Sequence, residues 1–443
     1  MTCSPEALPH VDDFVDGFLR YHPKAVNILK MVDDSDEALP NILAGYLWMF
    51  WERPEAPARA RPHLARAEAA LGRANDRERG HAAVLRAWIA GDIPGAIAAA
   101  EAVTVEWPRD LAALKIAQYH HLNLGDFPGI LRSALKVTPA NPGNPQVEAM
   151  AAFGYEQCHL LDAAQAAAER ALSVEPGEPW AHHAIAHVLL TRGQFQEGTR
   201  FMEANGPAWE GLNSFMYTHN WWHTALFHIA AGRLDAALAL YDRRCWGIEP
   251  DYSQDQVGAV SLLARLEFAG LVVGGRWQAL RPYLEGRAED TASAFLTLQY
   301  LYGLARCHSP VADRPMGAIR ERAEAAAPWE REMWQATGLP AAEGVLAAAR
   351  GDYPRAIRHL SAVLPTLWQV GGSHAQRDFF EQMLLDALLK EGSLVAAQQF
   401  LEARRRFDPH GVVLNRMLAE VYEALGLPAE AAAARARLGG ARQ

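Results

Sequence analysis

The chain has 443 residues, of which 50% are hydrophobic and 21% are charged, so an intrinsically disordered protein is excluded. A chain of this length exceeds what one hydrophobic core supports, so we expect several domains or one elongated array. The formal net charge is −10 and the sequence shows no basic stripe, so we expect neither a nucleic acid nor a membrane surface as a partner.

Residues 1–80 read as helical without a regular period, and we predict that they form an N-terminal helical cap. The opening residues, MTCSPEALPHVDDF, lack the basic and apolar regions of a signal peptide, and no apolar run reaches the length of a membrane span. The four cysteines form no CxxC pair, which argues against a disulfide framework or a zinc–thiolate site. We therefore expect a cytoplasmic protein.

Residues 81–443 show internal repeats. Each repeat reads as a helix, a turn with glycine and a second helix, and several successive turns lie about 34 residues apart, which is the tetratricopeptide period. Proline-bearing segments such as VEWPRD and VEPGEP separate one helix pair from the next. We predict an all-α fold, a right-handed α-solenoid of tetratricopeptide-type helix pairs that continues without a break over residues 81–443. The turns are centred on Gly91, Gly125, His159, Gly193, Gly232, Gly351, Gly392 and Gly426.

In two of the repeats, the first helix carries a pair of histidines. His183 and His187 are four residues apart, and so are His219 and His223 in the phrase HNWWH, so each pair shares one side of its helix. Counted back from the following turns at Gly193 and Gly232, we expect His223 to be level with His183 and His187 on neighbouring helices, whose axes pack about 8–10 Å apart. The other histidines expected near this patch are His120 or His121 and His374.

Several phrases resemble those of the tetratricopeptide repeat protein 38 family. They are DRERGHAAVLRAW, WPRDLAALK, FGYEQC, WAHHAIAHVL, HNWWHTALFHIAAGRLDAALALYD and GGSHAQRDFF, and the resemblance covers the chain from about Asn27 to Ala403. It implies an all-α superhelix of about ten helix pairs and no settled activity. The family's polar positions fall here on Arg77, Glu78, Glu156, His183, His187, His219, His223, His374, Arg377 and Asp378.

The chain departs from the family phrases at two places. Leu190 stands where a glutamate is common, and the phrase FxDxH reads here as AFLTLQ, with Thr297 and Gln299 at the polar positions. If those groups belong to a shared site, this protein has lost part of it or uses it differently.

Three interpretations of the histidines stay open. They fill semi-polar slots between helices, they bind a metal, or they line a metal-free pocket for a small organic molecule. HxxxH on a helix suits a metal, but HNWWH lacks the glutamate of HExxH, so we predict no metal and no cofactor. In a metal-free pocket, imidazoles transfer protons, tryptophans form apolar walls, Arg377 clamps a carboxylate, and Asp378 orients a histidine or that arginine.

We predict a small-molecule ligand or substrate and histidine acid/base chemistry, as in a hydrolase or lyase. The alternative is a protein–protein adaptor without catalysis, and a protein partner stays open. Histidine and tryptophan concentrated in the middle repeats favour a local pocket over a long peptide groove. The predicted catalytic residues are His183, His187, His219, His223, His374 and Asp378, and the predicted ligand-binding residues are Trp180, Tyr217, Trp222, Arg377, Glu156 and Gln299.

Overall fold

The computed structural model describes residues 3–32 and 35–440, and these ranges contain helices and turns and no β-strand. The predicted fold class, an all-α solenoid of tetratricopeptide-type helix pairs, is confirmed. The chain divides into two compact units. The first holds the described residues up to Ile185 together with Ala208–Tyr217, and the second holds Ala186–Pro207 and the described residues from Thr218 onward.

The first unit consists of helices that pack mainly against their neighbours along the chain. Its main core runs from the N-terminal helix to the sixth helix and includes the buried side chains of Phe14, Tyr46 and Trp88. The helices are α1 (Leu8–Arg20), α2 (Ala38–Met49), α3 (Ala56–Ala70), α4 (Asp76–Ile89), α5 (Ile93–Glu106), α6 (Leu111–Asn123), α7 (Phe127–Val137), α8 (Pro145–Gln157), α9 (Leu161–Val174) and the first half of α10 (Pro179–Thr191).

The second unit continues the same pattern. The segment from Gly247 to Pro340, where the sequence spacing is longer, also folds into helices and contains a π-helical turn at Met333–Gly338, and another π-helical turn precedes it at Tyr241–Cys245. The helices that follow α10 are α11 (Phe195–Asn205), α12 (Ser214–Ala230), α13 (Leu234–Leu240), α14 (Ser253–Phe268), α15 (Arg276–Glu285), α16 (Ala294–Arg306), α17 (Arg314–Ala325), α18 (Leu339–Arg350), α19 (Tyr353–Val363), α20 (His374–Glu391), α21 (Leu394–Arg405), α22 (Val412–Ala424) and α23 (Pro428–Gly440). Within the described ranges, none of the helices combines the length and the apolar character needed to cross a bilayer.

A Gly-Asp-x-Pro phrase sets three of the turns within helix pairs. Gly91 takes a positive φ of 76°, which an L side chain rarely adopts, and the next residue, Asp92, accepts a hydrogen bond from the backbone N–H of Gly95 at 3.0 Å. Asp126 and Asp352 cap the following helices in the same way, and proline occupies the first helical turn, where its missing N–H costs nothing. At the turn after α8, His159 takes this left-handed conformation with a φ of 58°, although it is not a glycine.

The second unit closes on itself through its C-terminal helices. Residues at or near the start of α22 contact the turns that follow α10 and α12. An added Cβ on Gly232 would meet Val412, and one on Gly193 would meet the carbonyl oxygen of Phe407. The side chain of Arg416 on α22 donates to the carbonyl oxygen of Ala269 at 2.5 Å. The turns that follow α12 and α14 therefore contact α22 of the same unit.

Candidate functional site: a histidine cluster

Helix α12 carries two histidines and a tryptophan in mutual contact. The rings of His219 and Trp222 stack nearly parallel, with centroids 5.4 Å apart and an interplanar angle of 7°. His223 meets both rings edge-on, 4.8 Å from His219 and 4.9 Å from Trp222. The rings of Trp222 and His223 are buried, whereas His219 is half-buried. The HNWWH spacing therefore places one indole and two imidazoles on the same side of the helix, as residues three and four apart must lie.

His187, from the second half of α10, connects α12 to α20. Its ring lies 4.6 Å from the ring of His223 and 5.4 Å from the ring of His374, measured between centroids. His187 and His223 are fully buried, while His374 is half-buried like His219. The four rings form a continuous series in the order His219, His223, His187 and His374, with the two half-buried rings at its ends. We call these four residues the histidine cluster.

The phrase GGSH fixes where α20 begins and so where His374 lies. Gly371 and Gly372 both have positive φ angles, 86° and 77°. A Cβ atom on Gly372 would lie 2.8 Å from the ring of Phe295, so only glycine fits there. The side chain of Ser373 caps the helix, and the backbone N–H of Ser373 donates to the side-chain oxygen of Gln376 at 2.9 Å. His374 is consequently the first residue of α20 and faces His187.

Asp378 lies one turn further along α20 and is bound by two arginines. Arg265 of α14 donates to one carboxylate oxygen at 2.9 Å, and Arg404 of α21 donates to the other at 2.6 Å. Gln382 adds a third hydrogen bond to this carboxylate. The sequence predicted that Asp378 would orient a histidine or Arg377, whereas the structure pairs it with Arg265 and Arg404. Arg377 is half-buried and donates to the carbonyl oxygen of Gly372.

The charges around the histidine cluster follow from burial and pairing. Burial, together with the neighbouring His187, lowers the pKa of His219 to about 3, so its ring is neutral at pH 7. Burial alone would raise the pKa of Asp378, but the charges of Arg404 and Arg265 hold that pKa well below its ordinary value. Burial and the charge of Asp378 raise the pKa of Glu381, one turn further on. The site thus combines a neutral imidazole with a carboxylate that stays ionised.

Several predicted residues lie in the first unit and have their own surroundings there. Trp180 stacks on His183 with centroids 4.3 Å apart, and Phe153 packs 4.8 Å from Trp180. Glu156 is fully buried on α8, where its carboxylate accepts a hydrogen bond from Gln157 at 2.6 Å. Tyr217 is also buried. Trp180, His183 and Phe153 therefore pack together as aromatic neighbours within the first unit.

The remaining predicted residues serve local structure. Gln299 is buried on α16, and its amide lies 3.5 Å from the carbonyl oxygen of Phe295. The hydroxyl oxygen of Thr297 lies 2.9 Å from the carbonyl oxygen of Asp290 and 2.7 Å from that of Ser293, so its one O–H donates to the backbone at this place. The side chains of Gln299 and Thr297 thus lie within hydrogen-bond distance of the backbone of α16 and of the turn before it.

Four other candidate residues, Arg77, Glu78, His120 and His121, make local contacts in the first unit. Arg77 donates to Asp110 at 2.6 Å, and Glu78 closes a capping box at the start of α4. His120 packs edge-on against Trp88, with centroids 4.5 Å apart, and His121 lies 3.1 Å from a carboxylate oxygen of Glu101. Each of these side chains thus has a structural role in the place where it lies.

Sequence reasoning missed Arg265 and Arg404. Arg265 stands between Leu262 and Leu266, and a charged residue at a buried register of a helix is the signal that would have identified it. Arg404 lies in the basic helix end EARRRF, where it is the arginine that reaches Asp378.

No protein-family model matches the chain. The human IFIT1 dimer with PPP-AAAA is similar in structure, with 16% sequence identity, a TM-score of 0.41, and coverage of 98% of this chain and 95% of that chain. The APC/C hetero-tetramer Cut9–Hcn1 has 12% identity, a TM-score of 0.35, and coverage of 98% and 93%. The TPR domain of P58(IPK) has 13% identity, a TM-score of 0.23, and coverage of 82% and 92%. At these values the likeness carries no argument about ligands, partners or activity.

Proposed function

We propose that the protein binds a small organic molecule at the histidine cluster and transfers protons to or from it. The observation that carries this proposal is the series of ring contacts in the second unit, which joins His219, His223, His187 and His374 although they come from three separate helices. Imidazole is a poor filler of an apolar interface, so four such rings in contact are better explained by a ligand than by packing alone.

The cluster offers two kinds of contact to a ligand. His219 and His374, the half-buried ends of the series, are the rings that a ligand reaches first. Because the pKa of His219 is lowered to about 3, its ring acts as a neutral hydrogen-bonding group, and we assign proton transfer to His374 with His187 behind it. Arg377, one turn after His374, supplies a cation for a carboxylate of the ligand.

The alternative function is a protein–protein adaptor that holds an extended peptide. An extended peptide requires an open groove that runs along successive first helices. In the second unit, α20 and α22 pack against the early helices, as the contacts of His374 with His187 and of Arg416 with Ala269 attest. This enclosure favours a compact ligand over a long peptide at the histidine cluster.

The experiment is a thermal-shift screen of small carboxylic acids and amides against the wild-type protein and the variants His219→Gln and His374→Gln. A ligand present at about 100 times its Kd stabilises a protein by about 2.7 kcal/mol, which raises the Tm by a few degrees. We expect wild type and the exposed-surface control His410→Gln to respond, and both cluster variants to lose the response. Elemental analysis of the same wild-type sample tests the metal interpretation, for which we expect no stoichiometric metal.

Two outcomes would reject this function. One is a ligand whose stabilising effect persists in both cluster variants, because that ligand binds elsewhere. The other is a screen without any stabilising acid or amide, combined with saturable binding of an extended peptide that survives both substitutions. A 5′-triphosphorylated tetra-adenosine RNA serves as a further probe, and with a net charge of −10 we expect no binding.

Three further proposals accompany this function. The phrases HNWWH and GGSHAQRD support membership of the tetratricopeptide repeat protein 38 family. The free thiols of Cys3, Cys158, Cys245 and Cys307 are typical of a reducing compartment and support a cytoplasmic location. The onset of regular turns near Gly91 supports the division into a cap at residues 1–80 and a repeat region at 81–443.

A further inference from the structure

Arg265 is a buried charge in the last turn of α14. It lies on α14 with only 2% of its surface exposed, and leucines and alanine precede it in the run SLLAR. A buried guanidinium carries a large desolvation cost, so it persists only where several acceptors surround it. The positions of those acceptors therefore indicate what the residue does.

The acceptors of Arg265 lie at the beginning of α20. One terminal nitrogen donates to Asp378 at 2.9 Å, and the other donates to the backbone carbonyl oxygen of Ala375 at 2.8 Å. The third nitrogen, Nε, donates to Ser261 on its own helix at 3.2 Å, which fixes the plane of the guanidinium. Ala375 is the residue after His374, so the guanidinium holds the backbone that carries this histidine.

The same guanidinium also lies against α12. Its central carbon is 5.6 Å from the ring centroid of Trp222, a cation–π contact. Trp222 in turn stacks on His219 and touches His223. One side chain therefore contacts both the first turn of α20 and the tryptophan that supports the two histidines of α12.

We propose that Arg265 is a positioning residue that sets the distance between His374 on α20 and the histidine pair on α12. This inference rests on the proposed function, because it assigns Arg265 to the geometry of that same site. Lysine cannot replace it, since a single ammonium group lacks the planar fork that reaches Asp378, Ala375 and Ser261 together.

A purely structural role is the competing explanation, and Arg287 provides a matched comparison. Arg287 is equally buried in the same unit, with 2% of its surface exposed, and it also lies over an aromatic ring, that of Tyr300. Its guanidinium donates to Gln256 at 2.9 Å and to Asp290 at 3.0 Å. Arg287→Lys therefore imposes a similar packing and charge change away from the histidine cluster.

The experiment compares wild type, Arg265→Lys and Arg287→Lys by NMR of protein with isotope-labelled histidine rings, titrated from pH 3 to pH 8. Ring resonances are assigned with the His219→Gln and His374→Gln variants. We expect Arg265→Lys to shift the resonances of both rings and to raise the pKa of His219 by at least one unit, because a displaced cluster admits water. We expect Arg287→Lys to lower the Tm by a similar amount and to leave both resonances in place.

The proposal is overturned if Arg265→Lys lowers the Tm while the resonances and the titration of both histidines match those of wild type. Should Arg265→Lys fail to fold, Ser261→Ala removes only the Nε acceptor, and the same displacement of the ring resonances, smaller in size, is the expected result. Unchanged rings in that variant would also overturn the proposal. The readout needs no ligand, so a failed ligand screen with a positive NMR result rejects the proposed function and retains the positioning role.

Discussion

The ring of Phe295 lies against Gly372, so that a Cβ atom at residue 372 would come within 2.8 Å of two ring carbons. Phe295 belongs to α16, and Gly372 precedes the cap of α20 by one residue. This contact fixes the height at which α20 starts and therefore the position of His374 relative to His187.

We predict that Gly372→Ala destabilises the protein and displaces His374. The positive φ of 77° costs an L residue about 1–2 kcal/mol, and the displaced Phe295 ring adds a packing penalty of about 1–3 kcal/mol. Urea unfolding measures the change. The control is Gly317→Ala, an exposed position within α17 with open space around it, where alanine is expected to stabilise by about 0.5–1 kcal/mol. Equal stabilities of the two variants would contradict the prediction.

We predict that Asp378→Asn costs about 3 kcal/mol, because it leaves the charges of Arg265 and Arg404 without their carboxylate. The neutral amide keeps the shape of the side chain, so the loss reports charge pairing rather than packing. Asp386→Asn on the same helix removes a partner of Lys390 and is expected to change stability by less than about 1 kcal/mol. Denaturant unfolding curves at pH 7 compare the two, and a cost for Asp378→Asn no greater than the control would refute the pairing role.

We predict that part of the acid sensitivity of the fold comes from His219. Its pKa falls from the ordinary 6.5 to about 3 in the folded protein, so the unfolded chain binds more protons between these values. The contribution of His219 to stability is therefore complete above pH 6.5 and is lost as the pH falls towards 3. His219→Gln should unfold with about one proton fewer taken up near pH 5, as read from the slope of the free energy of unfolding against pH. Trp277→Phe, which alters packing beside Tyr302 without removing a titrating group, should keep the wild-type slope.

In the first unit, we predict that Glu178 makes the stability fall as the pH rises, which is the opposite of the effect of His219. Burial raises its pKa from 4.5 to about 8, so the folded state holds the extra proton between these values. The resulting stability is fully present below pH 4.5 and is lost as the pH rises through 8. Glu178→Gln mimics the protonated acid and should therefore match wild type at pH 5.

At pH 8.5, Glu178→Gln should exceed wild type by on the order of 2–4 kcal/mol. Calorimetry at the two pH values makes the comparison. Equal stabilities of Glu178→Gln and wild type at pH 8.5 would show that the carboxyl is not held protonated by burial. Lys115, whose ammonium group lies 3.3 Å from the ring centroid of Tyr21, is the nearby cation whose charge opposes the shift of Glu178.

Helix spacing made part of the site predictable from sequence. His219 and His223, four residues apart, had to share one side of a helix. The approach of His374 to His187 was expected only as a contact from the far wall, because a repeat pattern fixes neighbours along the chain and leaves the curvature of the array open.

The partners of Asp378 could not be predicted from the sequence. Asp378 is next to Arg377 and one turn from His374, so local spacing predicted that it would orient one of these two residues. Its actual partners, Arg265 and Arg404, come from helices that tertiary packing brings to it, and no periodicity encodes such a choice. Pairings of this kind depend on which buried charges the fold must neutralise.

The division of the chain into two units has a practical consequence. The polypeptide leaves the first unit after Ile185, returns at Ala208 and leaves again after Tyr217, so two of these crossings fall inside α10 and α12. No single cut in the coding sequence yields either half intact. Genetic dissection of this protein must therefore proceed by substitution, since truncation would split HNWWH from the residues before it and leave two fragments that each lack part of a core.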